Sequence, residues 1–179
     1  MADPSSEAFE RVTLPHAEAA LALARALVRV EADAEDVVQE AYVRAFKYFG
    51  SFSGVSPRAW LLSIVRNAGY ALLRRRGPLV PVADFDDSAA PPWSSAEPPL
   101  TPEAELLGAV DAAQVRAALD GLPVEFREVV TLRELEQCSY KEIAEIARIP
   151  IGTVMSRLSR GRRLLHAALA PAQAGGPRS

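Results

Sequence analysis

The stretch Pro78 to Pro102, PLVPVADFDDSAAPPWSSAEPPLTP, constrains this chain most. It holds seven of the chain's 14 prolines and shows no helical period. Proline lacks the amide a helix needs and clashes with the preceding turn, so the stretch reads as an extended linker. No Lys or Arg occurs from Gly77 to Val115, while Asp84, Asp86, Asp87, Glu97, Glu103, Glu105 and Asp111 do. A chain of 179 residues cut here leaves room for two small domains, one on each side.

Ala and Leu dominate both sides, which favours helices. The expected fold is all-α: two small helical domains, 9–76 and 102–170, joined by a flexible acidic linker, 77–101. A disordered tail, 171–179, is expected to follow. Formal net charge is −3, so the total does not announce a nucleic-acid partner, and the distribution of charge has to be read instead. The single cysteine, Cys138, excludes a disulfide framework, and with two histidines a metal centre is not expected. The N-terminus lacks the features of a secretory signal, and no apolar run approaches membrane-spanning length. A cytoplasmic protein with no cofactor and no membrane insertion is expected.

The first block reads as three helices. Ala17 to Val30 is Ala/Leu-rich. Ala34 to Phe49 places Val37, Val38, Ala41, Tyr42, Ala45 and Phe46 on one face, with Asp33 or the Asp36 turn as its cap. Pro57 to Arg76 carries a stripe of Leu61, Ile64, Val65, Ala68 and Leu72, beside which Trp60 reads as core. Its other face holds Arg58, Arg66, Asn67, Arg74, Arg75 and Arg76, and no acid occurs in the helix.

In the second block Glu103 to Asp120 and Val124 to Leu135 read as helices, with Gly121 ending one and Pro123 opening the next. SYKEIAEIARIPIGTVMSRLSRGRRLL, Ser139 to Leu165, follows. Ser139 and Glu142 have capping-box spacing. Ile143, Ile146 and Ala147 face inward, Pro150 stops the helix, and Thr153 is placed to cap the next. On that next helix Val154, Leu158, Gly161 and Leu165 share one face. Thr153, Ser156, Arg157 and Arg160 share another, roughly 110° away at 3.6 residues per turn. One face on the domain and an adjacent one free for base edges is helix-turn-helix geometry. Arginine grips guanine bidentately, and Arg162 and Arg163 suit the phosphate backbone. The plain alternative is a solvated basic helix in an ordinary bundle.

These residues carry a resemblance. LPVEFREVVTLRELEQCSYKEIAEIARIPIGTVMSRLSRGRRLL resembles region 4 of extracytoplasmic-function (ECF) sigma factors, the promoter-specificity subunits of bacterial RNA polymerase. DAEDVVQEAYVRAFKYFGSF resembles their region 2.2, and PRAWLLSIVRNAGYALLRRR their regions 2.3 and 2.4. The resemblance implies partners and roles. The chain would bind core RNA polymerase, with Asp36, Gln39, Glu40 and Arg44 on the clamp helices of the beta-prime subunit and further contact to the beta subunit. Asn67 would help capture a flipped minus-10 base, and Arg58, Arg66 and Arg74 to Arg76 would hold the separated strand. Thr153, Ser156, Arg157, Arg160, Arg162 and Arg163 would engage the minus-35 element of promoter DNA. An anti-sigma factor would regulate the chain. No enzymatic activity is expected. A helix-turn-helix regulator acting without polymerase is the rival reading, which the second basic helix disfavours.

The chain departs from the family at Arg148, where Gly is usual, and at Met155, where Lys is common. Gly161 interrupts the recognition helix at a propensity cost of about 1 kcal/mol. Cys138 reads as a small buried residue rather than a redox sensor.

Overall fold

The computed structural model describes residues 4–54, 56–78 and 111–170. The expected linker from residue 79 onward, the expected helical start 103–110 and the expected tail 171–179 lie outside the described residues. Among those described there are helices and turns but no strand. The first block comprises α1 (Pro4–Thr13), α2 (Ala17–Val28), α3 (Glu31–Tyr48) and α4 (Pro57–Arg76). The second comprises α5 (Ala112–Asp120), α6 (Val124–Val130), α7 (Tyr140–Ala147) and α8 (Ile151–Leu169).

α1 is an addition to the expected set. Its sequence is polar, and Phe9 anchors it. That ring meets Tyr42, Phe46 and Phe49 edge-on at centroid distances of 6.2, 5.2 and 5.4 Å. Such pairs favour T-shaped geometry because a positive ring edge meets a negative ring face. α3 starts three residues earlier than expected, with Val30 at its N-cap and no side-chain cap. Neither Asp33 nor Asp36 caps it; Asp33 instead accepts from Arg76 of α4 at 2.5 and 2.7 Å.

α4 has the bounds the sequence implies. Ser56 accepts from the Ala59 amide and Pro57 sits in the first turn. Leu61, Leu62, Val65 and Ala68 are fully buried, and each Leu contributes about 1.5–3 kcal/mol. Trp60 is half-buried against Phe49 and Phe52, as a core residue would be. Where α4 crosses α2, a Cβ at Gly69 would lie 2.7 Å from Leu27 Cδ1, so a larger residue there would make the Leu27 side chain shift.

In the second block Gly121 ends α5 and α6 starts at Val124, both as expected, with Pro123 at the N-cap. α6 widens into a π-type turn, Thr131–Leu135, where the Glu136 amide reaches back to the Thr131 carbonyl at 3.1 Å. The Ser139–Glu142 capping box is present in both directions. Arg148 is in the left-handed region (φ 54, ψ 47), at a cost of about 1–2 kcal/mol for a non-glycine residue. Thr153 is not a cap: α8 starts at Ile151 with Pro150 at the N-cap, and Thr153 lies inside the first turn. Val154, Leu158, Gly161 and Leu165 are all buried.

The blocks share one continuous core. α6 is buried on every side, from Phe126 through Leu132, yet it carries Arg127 and Glu128. Arg127, 2% exposed, donates to the Ala26 carbonyl, to Leu27 at 3.2 Å and to Leu122 at 2.7 Å. It thus closes the C-terminal end of α2, where a cation is favoured. Burial, and then the neighbouring Arg29 charge, pulls its pKa down to about 10. Glu128, fully buried, accepts from Arg66 Nε and from the Tyr70 hydroxyl at 2.8 Å, both on α4.

Gly161 is a packing requirement rather than a helix defect. A Cβ there would lie 2.5 Å from Val130 Cγ2 and 3.5 Å from the Phe126 carbonyl oxygen. Replacing Gly161 with Ala therefore destabilises the chain by about 1–3 kcal/mol through overpacking, against the gain of about 1 kcal/mol that propensity alone implies. Denaturant unfolding decides the sign.

Candidate nucleic-acid and polymerase interfaces

α8 is held to the second block by its buried stripe, and this sets which side chains remain for another molecule. Thr153, Ser156, Arg157 and Arg160 occupy the adjacent face and are each half-buried. Ser156 Oγ donates to the Thr153 carbonyl at 3.1 Å. Arg162 is turned to Glu134 of the π-type turn, Nε to Oε1 2.6 Å. Arg163 is exposed. The six residues therefore lie on one helix but in different states: Arg162 is bonded within the block and Arg163 stands in solvent.

On α4 the basic residues divide along the helix. Arg74, Arg75 and Arg76 are exposed at its C-terminal end, where cations suit the dipole. Arg76 pairs with Asp33, and Arg75 lies 4.0 Å from Glu40. Asn67 is half-buried. Arg58 and Arg66 face the other block. Arg58 Nη2 donates to both carboxylate oxygens of Glu142 on α7, at 2.7 and 2.8 Å, and Nη1 donates to the Glu136 carbonyl at 3.2 Å. Arg66 binds Glu128 and lies 4.4 Å over the Tyr70 ring. Burial opposes the charge on Glu142, but hydrogen bonds from Arg58 and from Ser139 outweigh it and hold the carboxyl below its ordinary value. Burial pushes the Glu128 carboxyl upward, partly offset by Arg66 and Tyr70.

The outer face of α3 is open. Asp36, Gln39 and Arg44 are exposed, and Glu40 pairs with Arg44 one turn on at 2.5 Å. Val43 (70% exposed) and Phe46 (48% exposed) lie among them. Exposed apolar side chains within a charged surround are the composition of a protein-binding surface rather than of a nucleic-acid one.

The comparisons with known proteins follow the same division. The family described as sigma-70 region 2 matches residues 14–78, and sigma-70 region 4 matches residues 112–165. The RNA polymerase sigma-H factor of Pseudomonas aeruginosa is 33% identical over 168 residues, covering 92% of this chain and 87% of that protein. The chain belongs to the ECF sigma factors. The ECF RNA polymerase sigma factor SigE of Mycolicibacterium smegmatis is 34% identical over 90% of this chain, which spans 62% of that protein's length. In structure the chain is similar to the sigma factor RpoE of Bartonella quintana, solved in complex with the anti-sigma factor NepR. The TM-score is 0.70 at 31% identity, covering 92% of this chain and 98% of that one.

In this sigma factor region 2 thus comprises α2 to α4 and region 4 α5 to α8, while α1 precedes the matched span. The sequence pattern missed Arg127, Glu128 and Tyr70 as interface residues. On a helix of ordinary exposure Arg127 and Glu128 would be solvated, and no local signal marks α6 as buried all round.

Cys138 is fully buried, and burial raises its thiol to about 11. At pH 8 the folded chain should therefore resist iodoacetamide, while the denatured chain reacts within minutes. Mass spectrometry reads the difference, and rapid labelling of the folded chain would contradict the burial.

Proposed function

We propose that the chain directs promoter-specific initiation by docking on core RNA polymerase through the open face of α3, and by presenting α4 to the minus-10 element and α8 to the minus-35 element. The observation that carries this reading is the division of surfaces. One helix offers exposed apolar groups within charges, and two others offer arginines on helices without an acidic residue. Protein docking and nucleic-acid binding need these two chemistries.

On this reading Arg157 and Arg160 of α8 contact base edges and Arg163 contacts phosphate. On the same reading Asn67 of α4, with the loop before the helix, receives an unstacked base. The arginines follow the strand, because lost stacking has to be compensated by a pocket and a cationic track. The chain assists opening by binding the separated strand and adds no chemistry of its own. No described helix is long and apolar enough to cross a membrane. The Bartonella neighbour was solved with an anti-sigma factor, and an anti-sigma partner is proposed here.

Run-off transcription with purified core polymerase and genomic promoter fragments tests the reading. Addition of the chain should yield discrete transcripts; DNA binding without any transcription would contradict it. Within that assay, Arg160→Ala should cost about 1–3 kcal/mol on the preferred promoter and relax base choice. Arg163→Ala should weaken all sequences alike and lower the salt slope by about 1.

A further inference from the structure

Of the five arginines assigned to the minus-10 strand, Arg74, Arg75 and Arg76 are exposed, but Arg58 and Arg66 are half-buried against the other region. Arg58 donates through Nη2 to both carboxylate oxygens of Glu142, and Arg66 donates through Nε to the fully buried Glu128, whose other oxygen accepts from Tyr70. Both carboxylates belong to region 4 and both arginines to region 2. A carboxylate offers a guanidinium charged acceptor oxygens, as a phosphate does. Glu142 is also anchored by its own capping box, since it accepts from the Ser139 amide at 2.8 Å. The residues assigned to polymerase docking are not covered in this way: Asp36, Gln39 and Arg44 remain exposed on α3.

We propose that Glu128 and Glu142 act as internal stand-ins for DNA phosphates, so that closure of region 4 on region 2 and strand binding compete for Arg58 and Arg66. This rests on the reading that those arginines contact the strand. The closed chain then binds single-stranded DNA weakly, and any event that parts the regions releases both arginines together. Where the closed form outnumbers the open one about tenfold, opening raises apparent affinity about tenfold.

The test uses the full chain and two readouts: radius of gyration by small-angle scattering, and anisotropy of a labelled mixed-sequence single-stranded oligonucleotide at low salt. The double variant Glu128→Gln/Glu142→Gln should stay helical, expand, and bind the oligonucleotide about tenfold more tightly. Glu142→Gln alone alters a partly exposed side chain and keeps a capping-box residue, so it folds even where the double variant fails. It should shift both readouts the same way by a smaller factor. No change in either readout overturns the latch. Expansion without a gain in affinity overturns the competition. Adding Arg58→Ala/Arg66→Ala to the expanded variant should abolish the gain. A gain that persists there shows instead that the arginines do not contact DNA, which defeats the underlying assignment rather than the latch.

Discussion

Two adjacent charges on a helix with no exposed side govern this structure. Burying an ion costs several kcal/mol unless it is paired and fully hydrogen-bonded. Arg127 and Glu128 meet that condition mainly with groups from the other block: the Ala26 and Leu27 carbonyls for one, Arg66 and Tyr70 for the other. Leu27 links the two contacts, because it also packs where Gly69 lets α2 and α4 approach. α6 in its present surroundings therefore presupposes region 2. Removing one partner of such a pair commonly costs about 3–5 kcal/mol, since the other charge is left buried and alone.

Much of each block was legible in the sequence because its signals are local. The bounds of α4 follow from Ser56, Pro57 and a stripe at helical spacing, and the Ser139–Glu142 box fixes the start of α7. The inward face of α8 follows from periodicity alone. Other features depend on contacts far apart in the chain. α1 is mostly polar, so its place is set by the aromatic cluster that its Phe9 joins. Gly161 reads as a weak point until Val130 is seen against it. Asp33 reads as a cap until Arg76 arrives from α4.

The candidate site was legible in composition but not in state. The residues on α8 and α4 have the chemistry for DNA, and a period and a charge count suffice to find them. That Arg58, Arg66 and Arg162 are each matched to a carboxylate is a tertiary fact. Those acids neutralise part of the positive charge of the two basic helices within the chain.

The claim that the two regions are coupled through buried charge has one direct test. A double-mutant cycle on the folded chain, with Arg66→Ala, Glu128→Ala and the pair, measures unfolding free energy by denaturant. The account predicts an interaction energy of about 0.5–3 kcal/mol, the range for residues in direct contact. Strict additivity of the two single changes would mean that Arg66 and Glu128 do not meet in solution, and would contradict it.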